Sequence, residues 1–309
     1  HPELAALDAD FRHLFSSWFN RGFLVLRPID WKTPANILEK IIRYEAVHAI
    51  RNWDDLRRRL EPVDRRCFAF FHPQIVDDPL IFVEVALTVE IASSIDDVLS
   101  ENRPVLPPEK ASTAVFYSIS NCQEGLRGIS FGHFLIKQVV QELQRLGLGL
   151  KTFVTLSPLP GFARWVSRER ANPSSDYLNH ETRVVLEGLD QPNWHQDTAL
   201  CETLKPVLLG LAAAYILLAR GAGRRMIDSV ARFHLGNGAR FERLNWAADL
   251  SEKGLQQSFG LMVNYLYDLA GIEDNHEAFR NSGTIASSGE VRQWLRLLQG
   301  LGGRGQSLL

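Results

Sequence analysis

Apolar residues recur at three- and four-residue steps over Leu4, Leu7, Phe11, Leu14, Phe15, Trp18 and Phe19, and this stripe predicts an opening helix. Asn20-Arg21-Gly22 ends it, glycine being suited to a left-handed helix terminus. Phe23–Arg27 reads as a short strand. A second helix is predicted from Thr33-Pro34-Ala35, with the threonine hydroxyl placed to cap it, and it carries Ile37, Leu38, Ile41 and Ile42. The period then changes. Arg66–His72, Leu80–Val89 and Ala114–Ser120 are strand-length runs rich in Phe, Val and Ile, bounded by proline and aspartate. From Phe131 a helical stripe returns through Leu135, Val139 and Leu143; Gly147 and Gly149 stop it, and Lys151–Leu156 reads as another strand. The second half predicts a core helix over 206–219, a strand over Arg240–Ala247 and a helix over 255–269. Residues 168–204, polar and aperiodic, predict an insertion or a lid. Strands followed by strand–helix–strand predict a mixed α+β or α/β sheet wrapped by helices.

Composition narrows the function classes. With 34 Lys and Arg against 36 Asp and Glu, the 309 residues carry a formal charge of −2, so no general electrostatic case exists for nucleic acid or an anionic membrane. Cys67, Cys122 and Cys201 are widely spaced and form no CxxC, which argues against a disulfide framework or a cysteine zinc site and for a reducing compartment. The longest apolar run, Pro206–Ala219, is shorter than the roughly 20 residues needed to span a bilayer. The chain begins at His1, and an upstream segment is expected. Ser307-Leu308-Leu309 approaches a peroxisomal address without matching it.

Candidate chemistry concentrates in three places. Phe116–Ser120 runs through Asn121-Cys-Gln-Glu-Gly-Leu into Arg127-Gly128-Ile129-Ser130-Phe131-Gly132-His133, a glycine-bearing turn that opens an amphipathic helix. Unpaired backbone N–H groups and the helix dipole suit such a turn to a phosphate or pyrophosphate. It has neither the Gly-Lys-Ser/Thr of a P-loop nor the GxGxxG spacing of a dinucleotide fold. Arg127-x-x-Ser130-x-Gly132 fits, with one substitution, the turn with which acetyltransferase-type folds hold the pyrophosphate of coenzyme A. The same residues also fit an ordinary glycine turn before a core helix. Ser157, in Leu156-Ser-Pro-Leu-Pro-Gly-Phe162, would stand at a strand's C-terminal end, where open α/β sheets place ligands, or serve as a turn serine. Nothing nearby resembles GxSxG. His234, before Gly236-Asn237-Gly238, is the natural proton donor if chemistry occurs there, and otherwise a structural histidine. No HxxxH or HExxH supports a metal site.

Taken together, the chain resembles the malonyl-CoA decarboxylase family over nearly all its length. The matching stretches include Leu14–Leu26, Tyr44-Glu-Ala-Val-His48 with Asn52-Trp53, Val85–Thr88, Val115–Ser120 and Phe134–Lys137. Leu156–Phe162, Phe233–Ala239, Leu244–Asp249 and Ser258–Tyr265 complete the set in order and approximate spacing. The resemblance implies an α+β, acetyltransferase-like mixed β-sheet flanked by helices, with additional helical insertions. It implies a catalytic domain over 17–309 and, over 1–16, the remnant of an N-terminal helical domain used in oligomer assembly. By the same resemblance Ser157 and His234 are catalytic, and Arg127, Gly128, Ile129, Ser130, Phe131, Gly132 and His133 form the coenzyme A turn. Animal members carry an acidic residue where this chain has Ser130, so any role of that acid does not transfer. The implied reaction converts malonyl-CoA to acetyl-CoA and CO2 without metal or organic cofactor, in a homo-oligomer (dimer or tetramer). No nucleic acid or membrane partner is implied. The implied location is the cytoplasm for a bacterial protein, or mitochondria or peroxisomes for a eukaryotic one. A CoA-dependent acyltransferase and an inactive CoA-binding module stand as alternatives.

Overall fold

The computed structural model describes residues 2–18, 23–123, 135–221, 223 and 226–301, and it divides into two compact units. One unit holds the described residues up to Ala92 together with Asp97–Leu156; the other holds Ser93–Asp96 and the described residues from Ser157 onward.

In chain order the first unit's elements are α1 (Pro2–Trp18), β1 (Val25–Ile29), α2 (Ala35–Tyr44), α3 (Trp53–Leu60), β2 (Arg65–Phe71), β3 (Pro79–Thr88), α4 (Ile95–Leu99, which begins in the second unit), β4 (Thr113–Asn121), α5 (Leu135–Arg145) and β5 (Thr152–Thr155). Strands β1 to β4 pair antiparallel in sequence order, and β5 then lies parallel to β4. A parallel neighbour requires a crossover, and α5 lies within that connection. Helix α5 buries Leu135, Ile136, Val139, Val140 and Leu143, the stripe the spacing predicts. Helices α2 and α3 lay Ile37, Leu38, Ile41, Leu56 and Leu60 into a core shared with Cys67, Ala69, Phe71 and Phe82 of β2 and β3.

The second unit continues with β6 (Ser157–Pro158), α6 (Phe162–Ala171), α7 (His180–Leu186), α8 (Thr198–Leu217), α9 (Ser229–Gly236), β7 (Arg240–Asn245), α10 (Glu252–Ser258), β8 (Met262–Leu266), α11 (Ile272–Ser282) and α12 (Gly289–Leu301). Strand β8 is paired antiparallel on both sides, by β6 and by β7. Helix α8 is long and apolar enough to cross a membrane, yet every residue from Val207 to Ile216 is buried within the protein, as a core helix requires. Mixed strand directions with flanking helices make this an α+β fold, as the resemblance implies.

Three local expectations are corrected. The span 255–269 is not one helix: α10 ends at Ser258, Phe259 and Gly260 adopt positive φ (54° and 78°), and the chain re-enters the sheet as β8. Residues 168–204 are not aperiodic; they hold the end of α6, all of α7, two short 3-10 turns and the first turns of α8. Thr33 does not cap α2: its hydroxyl accepts from the Asp30 amide at 3.0 Å, and Pro34 occupies the cap position without a side-chain bond.

Candidate functional site

Ser157 follows directly on Leu156 after β5, and its backbone pairs with Val263 in the antiparallel β6–β8 ladder. That pairing, together with the restricted geometry of Pro158 and Pro160, fixes where the hydroxyl stands. His234 lies in the last turn of α9 and is buried. Two devices set this short helix. At its start Asp228 accepts the Ala231 amide at 2.8 Å, a side-chain cap. At its end Gly238 has φ +81°, and a Cβ there would lie 2.0 Å from the Ile272 carbonyl oxygen, so only glycine fits the close approach of α11. Asn275 Nδ2 donates to the Gly238 carbonyl at 3.2 Å and His276 Nδ1 to the Gly236 carbonyl at 2.6 Å, which ties the turn to α11.

These supports bring together two residues 77 positions apart: Ser157 Oγ lies 3.1 Å from His234 Nε2. On the other side of the ring, Tyr267 Oη lies 2.7 Å from His234 Nδ1. Tyr265 stacks on the imidazole with centroids 4.7 Å apart and planes at 22°. Both sequence-predicted catalytic candidates therefore share one buried spot, and two tyrosines that sequence reasoning missed complete it. Their signal was present in the alternation Tyr265-x-Tyr267, which puts both rings on one side of an extended chain, but it was hidden by reading the segment as helix.

Burial dominates the electrostatics. With no charged partner to offset desolvation, the His234 imidazole is pushed down to about 3 and is neutral at physiological pH. Burial raises the Tyr267 phenol well above its usual range, so it is protonated in the resting site. A neutral imidazole between an alcohol and a phenol can carry a proton on either nitrogen, and it stays neutral if it takes one on one side as it gives one up on the other. Among the described residues no group of three or more His, Cys, Asp or Glu is placed to hold a metal ion. The expected coenzyme A turn, Arg127 to His133, lies outside the described residues.

Residues 22–301 match the family described as "Malonyl-CoA decarboxylase C-terminal domain". The chain belongs to that family. It is similar to malonyl-CoA decarboxylase from Rhodopseudomonas palustris, whose solved structure superposes with a TM-score of 0.91 at 60% identity over 95% of this chain and 71% of that one. The Agrobacterium vitis malonyl-CoA decarboxylase structure gives 0.91 and 60% over 96% of this chain and 72% of that one. The mitochondrial malonyl-CoA decarboxylase of Anser anser anser is 36% identical over 96% of this chain; the chain spans 63% of that relative's length.

Proposed function

We propose that this chain decarboxylates malonyl-CoA to acetyl-CoA and CO2, with Ser157 and His234 at the reacting end of the substrate. The observation that carries the reading is the 3.1 Å contact between those side chains in a chain of the malonyl-CoA decarboxylase family. Loss of CO2 leaves an electron pair on the carbon alpha to the thioester. The barrier falls when the breaking bond stands perpendicular to the thioester plane and the developing enolate oxygen meets preorganised donors, each worth roughly 3–4 kcal/mol in comparable oxyanion sites. The enolate carbon then needs one proton. His234 supplies it from Nε2, and the Ser157 hydroxyl hydrogen-bonds the acyl group and holds it against the ring. The phosphates of coenzyme A are assigned, by resemblance, to the turn Arg127–His133, and the active form to a homo-oligomer.

The test is turnover of malonyl-CoA by the purified protein, with CO2 and acetyl-CoA as products. Ser157→Ala and His234→Ala should each lower kcat by about 10²-fold or more, the usual loss for a positioned proton-transfer group. Turnover within about threefold of wild type, roughly 0.6 kcal/mol of barrier, removes the residue from the chemistry. Release of free CoA from acetyl-CoA, with no CO2 from malonyl-CoA, would point instead to acyl transfer or hydrolysis.

A further inference from the structure

The roles given to Ser157 and His234 leave the far side of the imidazole unaccounted for. There the Tyr267 phenol, 2% exposed, sits 2.7 Å from Nδ1. A neutral imidazole has one N–H and one lone pair, so only one of its two hydroxyl neighbours can donate to it. If Ser157 were that donor, Nε2 would be a lone pair and the site would be a base-activated serine, the arrangement acyl transfer and hydrolysis use. If Tyr267 is the donor, Nε2 carries the proton and faces Ser157 with it. The two compete for a single lone pair. A phenol is a far stronger acid than an alkanol and therefore the stronger donor, so the competition goes to Tyr267.

We infer that Tyr267 is a positioning residue of this site: its O–H donates to His234 Nδ1, which fixes the Nε2–H tautomer and backs the imidazole as it gives that proton away. The inference rests on the decarboxylase reading for its chemistry but not for its geometry. The step balances. The substrate enters as a carboxylate anion, the C–CO2 bond breaks, and the charge passes to the enolate. The alpha carbon takes the Nε2 proton while Nδ1 takes the phenol proton, so imidazole stays neutral and the negative charge rests on the Tyr267 oxygen. A phenolate is a much weaker base than either an imidazolate or a thioester enolate, which makes the transfer downhill. Burial disfavours the phenolate, so it is short-lived: Nδ1 returns its proton to the Tyr267 oxygen as Nε2 takes one from solvent, which restores both the phenol and the Nε2–H tautomer. The stacked Tyr265 ring covers one face of the imidazole throughout.

Two measurements test this on the full chain. In ¹⁵N-histidine-labelled wild-type protein, the His234 resonances, assigned by their loss in His234→Gln, should show a protonated Nε2 and an Nδ1 that accepts a hydrogen bond; a protonated Nδ1 overturns the inference. Tyr267→Phe keeps the ring and removes the O–H. It should lower kcat for malonyl-CoA by about 10²-fold with KM held within about threefold, since nothing that binds coenzyme A has changed. An unchanged kcat in a folded variant overturns the inference. If the variant does not fold, the wild-type tautomer decides alone. Should the wild-type protein release no CO2 from malonyl-CoA, the decarboxylase reading falls, and the tautomer measurement still decides the assignment of Tyr267.

Discussion

At the scale of single residues, His234 illustrates burial overruling a helix terminus. The last turn of a helix ordinarily favours a charged imidazole through the partial negative charge of its carbonyl end. Here complete enclosure wins, and the folded-state value drops from 6.5 to about 3. Two consequences follow from the sign. Between roughly those limits the unfolded chain binds a proton that the native site refuses, so His234's contribution to stability is full above about 6.5 and is lost as the pH falls toward 3. The same shift bears on catalysis near neutral pH: kcat for malonyl-CoA is expected to show no histidine inflection between pH 6 and 7.5, where an imidazolium donor would produce one. A profile that falls tenfold per pH unit across that interval would contradict the neutral imidazole.

At the scale of elements, the geometry depends on how α9 and the segment after Ser157 are held. Asp228 caps α9 and also accepts the Tyr215 hydroxyl at 3.4 Å. A Cβ at Gly161 would lie 2.6 Å from that same hydroxyl, so the loop leaving Ser157 is packed onto the capping group of the helix that carries His234. Asp228→Ala should cost about 1–2 kcal/mol, the usual value of a lost cap, read as a lower denaturant midpoint. Loss of stability with kcat unchanged would show that the cap supports the fold without setting the Ser157–His234 distance.

In the first unit α5 was legible from its clean helical period and β2, β3 and β4 from continuous apolar runs bounded by turn residues, whereas α3, a short helix rich in arginine and aspartate, was not. Strand β8 was not, because Leu255, Phe259, Met262 and Val263 satisfy a helical stripe as well as an extended run. Gly260 was the residue that could have broken the tie. Ser157 and His234 were legible as candidates, and the family resemblance singled them out; Tyr267 was not, since its partner lies across the fold and its own segment fits a helical period as well as an extended one.

At the scale of the whole molecule, the first unit buries ionisable groups with no part in the chemistry assigned to Ser157 and His234. Glu45, in the Tyr44-Glu-Ala-Val-His48 stretch, accepts the Val47 and His48 amides at 2.8 Å each and the Ser118 hydroxyl at 2.7 Å, so this stretch clasps the α2–α3 loop to β4. Glu84, on β3 opposite Cys67 and Ser118, is fully buried; Arg59 donates to one of its oxygens at 3.1 Å, and the other has no partner among the described residues. Burial, then the Glu45 carboxylate, pushes Glu84 up to about 8 despite Arg59. The native state therefore holds a proton that the unfolded chain releases near 4.5, and stability falls as pH rises from about 4.5 to about 8. Glu84→Gln should flatten that slope, read as the change in Tm between pH 5 and pH 8. Equal slopes in variant and wild type would mean that Glu84 is ionised in the fold.

The alternation along β8 has a bearing on how such a chain can diverge. Tyr265 and Tyr267 turn toward His234, and between Val263 and Tyr265 the Asn264 amide oxygen accepts from Asn245 at 2.8 Å. Because a strand exchanges its two sides with every residue, gaining or losing one amino acid between Met262 and Tyr267 would offer the imidazole the wrong neighbours while leaving the sheet's hydrogen bonds almost intact. An insertion or deletion here therefore takes both tyrosines away from the imidazole at once, where a single substitution takes away one.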